Sequence, residues 1–489
     1  MRRLTVFLPY IICIIFFLAY TILSVVRHNH YGSFGFDLGI TDQIVWKYSQ
    51  FKNPITTVHH FPFTSIFTDH IEFIYILLAP SFWIWNDPRT LLVLQTLFFT
   101  SSGIAVYLLA KEKKLKEFPS IAILISYLIF FGVQNALWFE VHSLSFATAF
   151  LAWFIYFLEK GSVKWSIVMF VLAIITKEDI ALLTFLIALV YLLGNYKQIK
   201  TKKFSSQSKL ALEFMAGSVA YLCGIFFIYF PHFTHDGYRF VNKGGLLSDL
   251  NPTYFWDTET KRKIIFVSFA SFGGLPILAP INLLPWFGDL AHYFILGHTV
   301  PTAQDFYMHY RISLAPLLVW PTIIALSRFK KLNSRLVAVY ILLCALYFQY
   351  SLHLPPSYLG KSWFWAEPTA VKNIEKIISF IPENASVVSQ NNITPHISHR
   401  DEIFTLLPEK RGFGKNSPCG KNVCNFLSWA GNPQYLIVDT SGDFDIRHFL
   451  MNKEDYVDAI QNTEKAGVIK EYKRVGDAVL YKILRKPNQ

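Results

Sequence analysis

Phe36-Asp37-Leu38-Gly39-Ile40-Thr41-Asp42-Gln43 stands at the front of a polar stretch, residues 27–89, that separates two apolar runs. The run before it, 6–26, is long enough to cross a bilayer, and another begins at residue 90. Asp37 and Asp42 therefore lie against a membrane surface, where desolvating a charge is costly and a carboxylate is kept for a task. Gly35 and Gly39 beside them favour a tight backbone that a neighbour approaches closely over a plain solvated helix. His59-His60 and Asp69-His70 follow in the same stretch. Residues 27–89 thus read as the first loop of a membrane bundle and the front of an active site.

Composition agrees with that setting. The 489 residues are 53% hydrophobic and 17% aromatic, with only 16% charged, against about 25% charged in a soluble domain. Apolar stretches recur between short basic loops through residues 1–353, whereas 362–489 has ordinary charge and no spanning run. The chain divides into an α-helical polytopic membrane bundle, 1–353, and a soluble domain, 362–489. Apolar runs near 6–26, 90–110, 119–138, 143–158, 165–176, 180–194, 210–230, 264–279, 281–296, 312–327 and 336–353 give about eleven spans. Several fall short of the roughly 20 residues a straight crossing needs, so tilted or broken helices are expected. Met1-Arg2-Arg3 before the first run suits a signal peptide, but no small-residue cleavage site follows, and the run reads as a retained helix.

The stretch 71–86 carries Pro80 and closes on Trp83 and Trp85, features of a helix lying in the interface. With it left out of the spans and the N-terminus inside, the inner loops hold 17 basic residues in about 41 positions and the outer loops 11 in about 119. Counting it as a span would reverse every later loop and put the lysine clusters outside. The interfacial placement satisfies the positive-inside rule; Lys261-Arg262-Lys263, on the outer side, runs against it. The net charge of +12 is thereby accounted for by topology, which excludes nucleic acid as a partner. Eleven spans leave the C-terminal domain outside the cytoplasm.

In that domain 368–380 reads as an amphipathic helix with Val371, Ile374, Ile377 and Ile378 on one face. Strands are expected at 386–390, 403–406, 435–439, 468–472 and 478–483, with a helix at 446–461, making a small α/β domain able to fold alone. The glycines at 412 and 414 lack the third glycine of a nucleotide loop. Cys13, Cys223 and Cys344 fall in apolar runs and read as small hydrophobes. Cys419 and Cys424 form a short-loop disulfide if outside and stay free thiols if inside.

The polar residues without a topological task converge on the outer face. Asp37 and Asp42 suit a general base or a metal-positioning carboxylate, or else a helix cap or turn. His59, His60 and His70 have no fixed metal-ligand spacing, and a divalent metal is the one cofactor left open. Glu140 and His142, in Trp138-Phe139-Glu140-Val141-His142, fall on one side of an extended entry to a span. Lys177-Glu178-Asp179 interrupts two short runs, either as an external turn or with Lys177 on a lipid phosphate and a carboxylate on a sugar. Arg311, in His309-Tyr310-Arg311, is a good bidentate phosphate ligand.

The 36–43 motif, Asp69-His70, Thr176-Lys177-Glu178-Asp179 and Pro395-His396-Ile397-Ser398-His399-Arg400 together resemble the polytopic membrane proteins of domain-of-unknown-function family 2079. That family is similar to the C-type (GT-C) glycosyltransferases, integral membrane enzymes that use polyprenyl-phosphate sugars. The resemblance implies a GT-C-like bundle in which Asp37 is catalytic and 71–86 is one of the juxtamembrane helices. It implies sugar transfer from a polyprenyl-phosphate donor, at the outer face of a prokaryotic cytoplasmic membrane, to an acceptor the sequence does not name. Asp37 would act as base, with Asp42 beside it. Lys177 and Arg311 would hold the donor phosphate, and Glu178, Asp179, Glu140, His142 and His70 would contact the substrate. A transporter or flippase for a lipid-linked or small solute is the alternative, and would place charges near mid-membrane in repeated halves, which this chain lacks. A non-catalytic sensor presenting the tail outside would not need so many ionisable loop residues.

Cysteine-labelling or reporter fusions are expected to place residues 114 and 330 inside and residue 400 outside. A cytoplasmic residue 400 together with a cytoplasmic residue 114 would show that the late spans are miscounted.

Overall fold

The computed structural model describes residues 2–58, 67, 70–196, 205–234, 250–406, 433–441 and 452–484. His59, His60, Asp69, Gly412, Gly414, Cys419 and Cys424 lie outside them. The chain forms two compact units. One comprises Met1–Ser24, Thr68–Ile74 and Leu92–Lys361; the other comprises Val25–Phe67, Tyr75–Leu91 and Ser362–Gln489.

The first unit is helical. Among the described residues four helices are long and apolar enough to cross a membrane: Phe7–Asn29, Arg89–Glu112, Ser206–Phe233 and His309–Arg328. A fifth crossing can be made by α5 (Glu117–Leu128) and α6 (Phe131–Phe139), bent by 40° at their junction. α7 (Ser143–Lys160), α8 (Val163–Ile174), α9 (Ile180–Gly194) and Arg335–Ser351 are shorter. α8, with 12 residues, rises only about 18 Å, well under the apolar thickness of a bilayer.

Two expected spans are broken. In the run 264–279 the helix stops at Ala270, because Gly273 (φ 62°) and Gly274 (φ 71°) turn the chain through left-handed backbone. In the run 281–296 the regular helix is confined to Leu284–Ala291, between a short 3₁₀ turn, Pro280–Leu283, and a π turn, His292–Leu296. Small hydroxyls tie the bundle where lipid would leave them unmet: Thr21 meets Thr96 at 2.8 Å, Thr184 meets Ser218 at 3.0 Å, and Ser102 meets Tyr127 at 2.7 Å. The basic cluster that opposed the charge count is engaged locally. Lys261 is buried, donates to the Tyr254 carbonyl and pairs with Asp257 at 2.8 Å.

The second unit is built on a five-stranded mixed sheet in the order β2-β1-β3-β5-β4. The strands are β1 (Val387–Ser389), β2 (Ile403–Thr405), β3 (Tyr435–Asp439), β4 (Ile469–Val475) and β5 (Ala478–Ile483). β1 runs parallel to β2 and β3, while β5 is antiparallel to β3 and β4. All five expected strands are present. Alternation divides their side chains between two cores. Val388, Phe404, Leu436 and Val438 pack with Tyr456 and Ile460 of the helix Lys453–Lys465. Val387, Ile403, Ile437 and Leu480 pack with Val371, Ile374 and Ile377 of the helix Thr369–Ile378. Tyr31 and Val58 complete this second core, so part of the first loop is buried with the sheet. The expected interfacial segment is a helix of ten residues, Ile74–Trp83, too short to cross.

Val58→Ala should therefore destabilise the sheet rather than merely loosen a loop, by about 1–3 kcal/mol. Hydrogen exchange at β1 should report it, and unchanged protection there would separate the loop from the sheet's core.

Candidate functional site

The polar residues singled out by the sequence fall into two clusters, one in each unit. In the sheet-containing unit, α1 (Arg2–Asn29) stops where Tyr31 adopts left-handed backbone (φ 58°) and the Tyr31 and Gly32 amides return to the His28 and Arg27 carbonyls. The chain then makes a π turn, Gly35–Gly39, which carries Asp37, before α2 (Ile40–Ser49). Such turns widen a helix by one residue and often mark functional positions. Gly35 is required sterically: a Cβ there would lie 2.6 Å from Thr405 Oγ1 and 2.8 Å from Thr394 Cβ. Its N–H donates to the side chain of Asn391 at 2.9 Å. The close approach expected of these glycines is found, and the neighbour is the C-terminal segment.

The two aspartates have different surroundings. Asp37 is half-buried, and burial pushes its carboxyl up to about 6 despite the opposing charge of Arg27. Asp42 has no exposed surface. Its Oδ2 accepts from Ser398 Oγ at 2.5 Å and pairs with His399 Nε2 at 2.9 Å. Burial alone would lower His399, but Asp42 outweighs it and holds the imidazole above its usual value. Gln43 extends the tie, donating to Thr57 and to the Arg400 carbonyl, each at 3.0 Å. The two motifs, some 356 residues apart, thus meet.

In the helical unit the turn between α8 and α9 places Glu178, fully buried, against His70. Glu178 pairs with His70 Nδ1 at 2.8 Å and accepts the Ile71 N–H at 2.9 Å. Burial would raise Glu178, but these partners hold it well below the usual carboxylate range. Burial would lower His70, and Glu178 more than reverses it, keeping the imidazole above its usual value. Lys177 and Asp179 pair at 3.3 Å, and Asp179 lies 3.7 Å from His292. Glu140, buried, and His142 occupy extended backbone between α6 and α7, as their spacing implied. Burial, with Lys177 and His70 nearby, pushes His142 down to about 3. Its ring stacks on His309 with centroids 3.4 Å apart. Arg311 is wholly buried over the rings of Tyr293 and Phe294 and donates to the Ala303 carbonyl.

The structure adds residues that the sequence reading passed over. Glu72, buried, accepts from Ser143 Oγ at 2.5 Å, and burial raises its carboxyl. Asp289, also buried, accepts from Ser313 at 3.1 Å. Each is a lone acidic residue inside an apolar run, and that isolation was the available signal. Among the described residues no three His, Cys, Asp or Glu side chains converge to hold a metal ion.

The chain belongs to the DUF2079 family of predicted membrane proteins, whose model matches residues 27–411. No curated protein sequence matches it. Its fold is similar to that of ArnT from Cupriavidus metallidurans, solved bound to undecaprenyl phosphate: the TM-score is 0.55 at 12% identity, over 98% of this chain and 97% of that one. The apo form of ArnT gives 0.53 at 11% identity, with the same coverage. This likeness is one of fold, and it agrees with the similarity to C-type glycosyltransferases that the sequence motifs implied.

Glu178→Gln should cost about 3 kcal/mol by stranding His70. The His70 contribution is complete below about pH 6.5 and lost as pH rises through its raised folded value. The Glu178 contribution is present above about pH 4.5 and lost as pH falls through its depressed value. Thermal melts across pH check both limbs: the difference between wild type and variant should be greatest between these values.

Proposed function

We propose, from this family membership and fold, that the protein is an integral membrane glycosyltransferase. It moves a sugar from a polyprenyl-phosphate donor to an acceptor on the outer face of a prokaryotic cytoplasmic membrane, with about eleven crossings and the C-terminal sheet outside. The observation that carries the reading is Asp37. A half-buried carboxylate on a π turn, raised to about 6, is a base poised near neutral pH. ArnT, which has this fold, has been seen with undecaprenyl phosphate bound, and that supports a polyprenyl-linked donor here.

In the proposed step the acceptor hydroxyl gives its proton to Asp37 while its oxygen bonds to the anomeric carbon. The anomeric carbon–oxygen bond to phosphate breaks, and the polyprenyl phosphate leaves with the electron pair. Lys177 and Arg311 are assigned to the donor phosphate, as cationic groups suited to it. Glu140, His142, Glu178, Asp179 and His70 are assigned to the sugar and to holding those cations. Asp42, whose carboxylate is engaged by Ser398 and His399, is assigned a positioning role rather than a share in proton transfer.

Asp37→Asn should preserve folding and reduce transfer by about 10²–10⁴-fold, because asparagine keeps the shape and loses the base. In the wild type the rate should fall below pH about 6, as Asp37 takes up a proton. The assay is transfer from a polyprenyl-phosphate-sugar pool in membranes. Near-normal transfer by Asp37→Asn would remove Asp37 from the mechanism.

A further inference from the structure

Pro395-His396-Ile397-Ser398-His399-Arg400 is the one sequence motif that the proposed reaction leaves without a task. Three of its residues grip the polypeptide on either side of the π turn. Before the turn, His396 stacks on Tyr31 at 3.7 Å and on His28 at 4.1 Å, where α1 ends. Tyr31 there has left-handed backbone, which a non-glycine residue keeps only when its surroundings compel it. After the turn, Asp42 of α2 receives Ser398 and His399. Between these anchors the Gly35 amide is fixed to Asn391, and Gly39 lies against Thr394. Arg400 is directed elsewhere, to the carbonyls of Pro382, Glu383 and Ala385.

We infer that residues 391–399 are a charge-dependent latch, in which the Asp42–His399 ion pair holds the π turn and so positions Asp37. The latch itself is a property of this unit; its consequence for catalysis rests on the proposed role of Asp37. His399 is enclosed by the rings of Trp46 and Phe82, and the charges that face it are Asp42 and Asp87, the latter paired with Arg89 at 2.6 Å. Protonated, His399 answers the Asp42 carboxylate. Once it is neutral, a fully buried carboxylate keeps only the Ser398 hydroxyl among the partners described, and the segment bearing Asp37 loosens. His396 does not share in this switching. Burial holds it well below its usual value, so it remains a neutral stacked ring throughout.

The test is hydrogen exchange of residues 35–43 in the full-length protein in nanodiscs, corrected for intrinsic exchange, at about pH 6 and about pH 9, on either side of an ordinary or raised imidazole. Wild type should lose roughly tenfold or more of its protection between the two. His399→Gln should be poorly protected at both, and His399→Lys, which keeps the charge, should hold at the higher pH. Should His399→Gln fail to fold, Ser398→Ala serves instead and should weaken protection at both values. Wild-type protection of 35–43 in His399→Gln, or in Ser398→Ala where that is the variant used, would overturn the latch. No sugar donor enters this measurement, so failure of the transfer assay leaves its outcome standing. If transfer is observed, His399→Gln should lower kcat with little change in KM and lose the alkaline limb of the pH profile.

Discussion

A carboxylate taken out of water must be met by donors, and that constraint organises both units. Asp42 and Glu178 are each wholly buried. Each is answered by residues that the sequence keeps far away: Asp42 by Ser398 and His399, Glu178 by His70 and the Ile71 amide. At the 2.9 Å of the Asp42 pair, attraction at an effective dielectric of about 20 is roughly 6 kcal/mol. Dehydrating the two ions costs several kcal/mol each, so the intact pair is close to neutral for stability. Breaking it is a different matter, at about 3–5 kcal/mol, because one charge is left behind. Such pairs therefore select which segments lie together more than they stabilise the result.

In the sheet-containing unit that selection has a local consequence. A helix leaving the membrane could simply fray into a solvated loop. Here α1 is stopped by left-handed Tyr31, the chain widens into a π turn, and α2 resumes, all against the segment 391–405. Gly35 admits the contact with Thr394 and Thr405, where any side chain would collide. Asp37 thereby stands on a backbone fixed at both ends while its carboxyl keeps some access to solvent. Burial is sufficient to raise it to about 6 without the full dehydration that Asp42 undergoes.

Local patterns carried much of this into the sequence. The five strands were legible because their alternation feeds two cores, and the helix Thr369–Ile378 because Val371, Ile374 and Ile377 recur on one face. The first loop was legible as a segment whose carboxylates need partners, because carboxylates beside a bilayer are expensive. What did not show was tertiary. Nothing near Asp42 announces a partner at position 399, so two aspartates five residues apart looked like one catalytic pair. Hydropathy also merged what backbone separates: Gly273-Gly274, Pro280 and Pro285 divide apolar runs that otherwise read as continuous spans. The number of crossings is the feature most affected, since many helices are shorter than a straight span.

Two pairs of the described imidazoles differ in kind, and the difference bears on how the protein responds to pH. His142 and His396 lie against other rings; burial, with nearby cations, keeps both below their usual value and hence neutral. His70 and His399 each face a buried carboxylate and are held above theirs. Of these four, His70 and His399 are the ones whose charged form is favoured, and each stands beside a segment assigned to the reaction. Asp37 sets the opposite limit, being ionised only above about 6. On the proposed mechanism, base and imidazolium are both in their working forms only between these limits. A bell-shaped profile then follows from Asp37 on the acid side and the imidazolium of His399 on the alkaline side, and His399 need never touch the substrate.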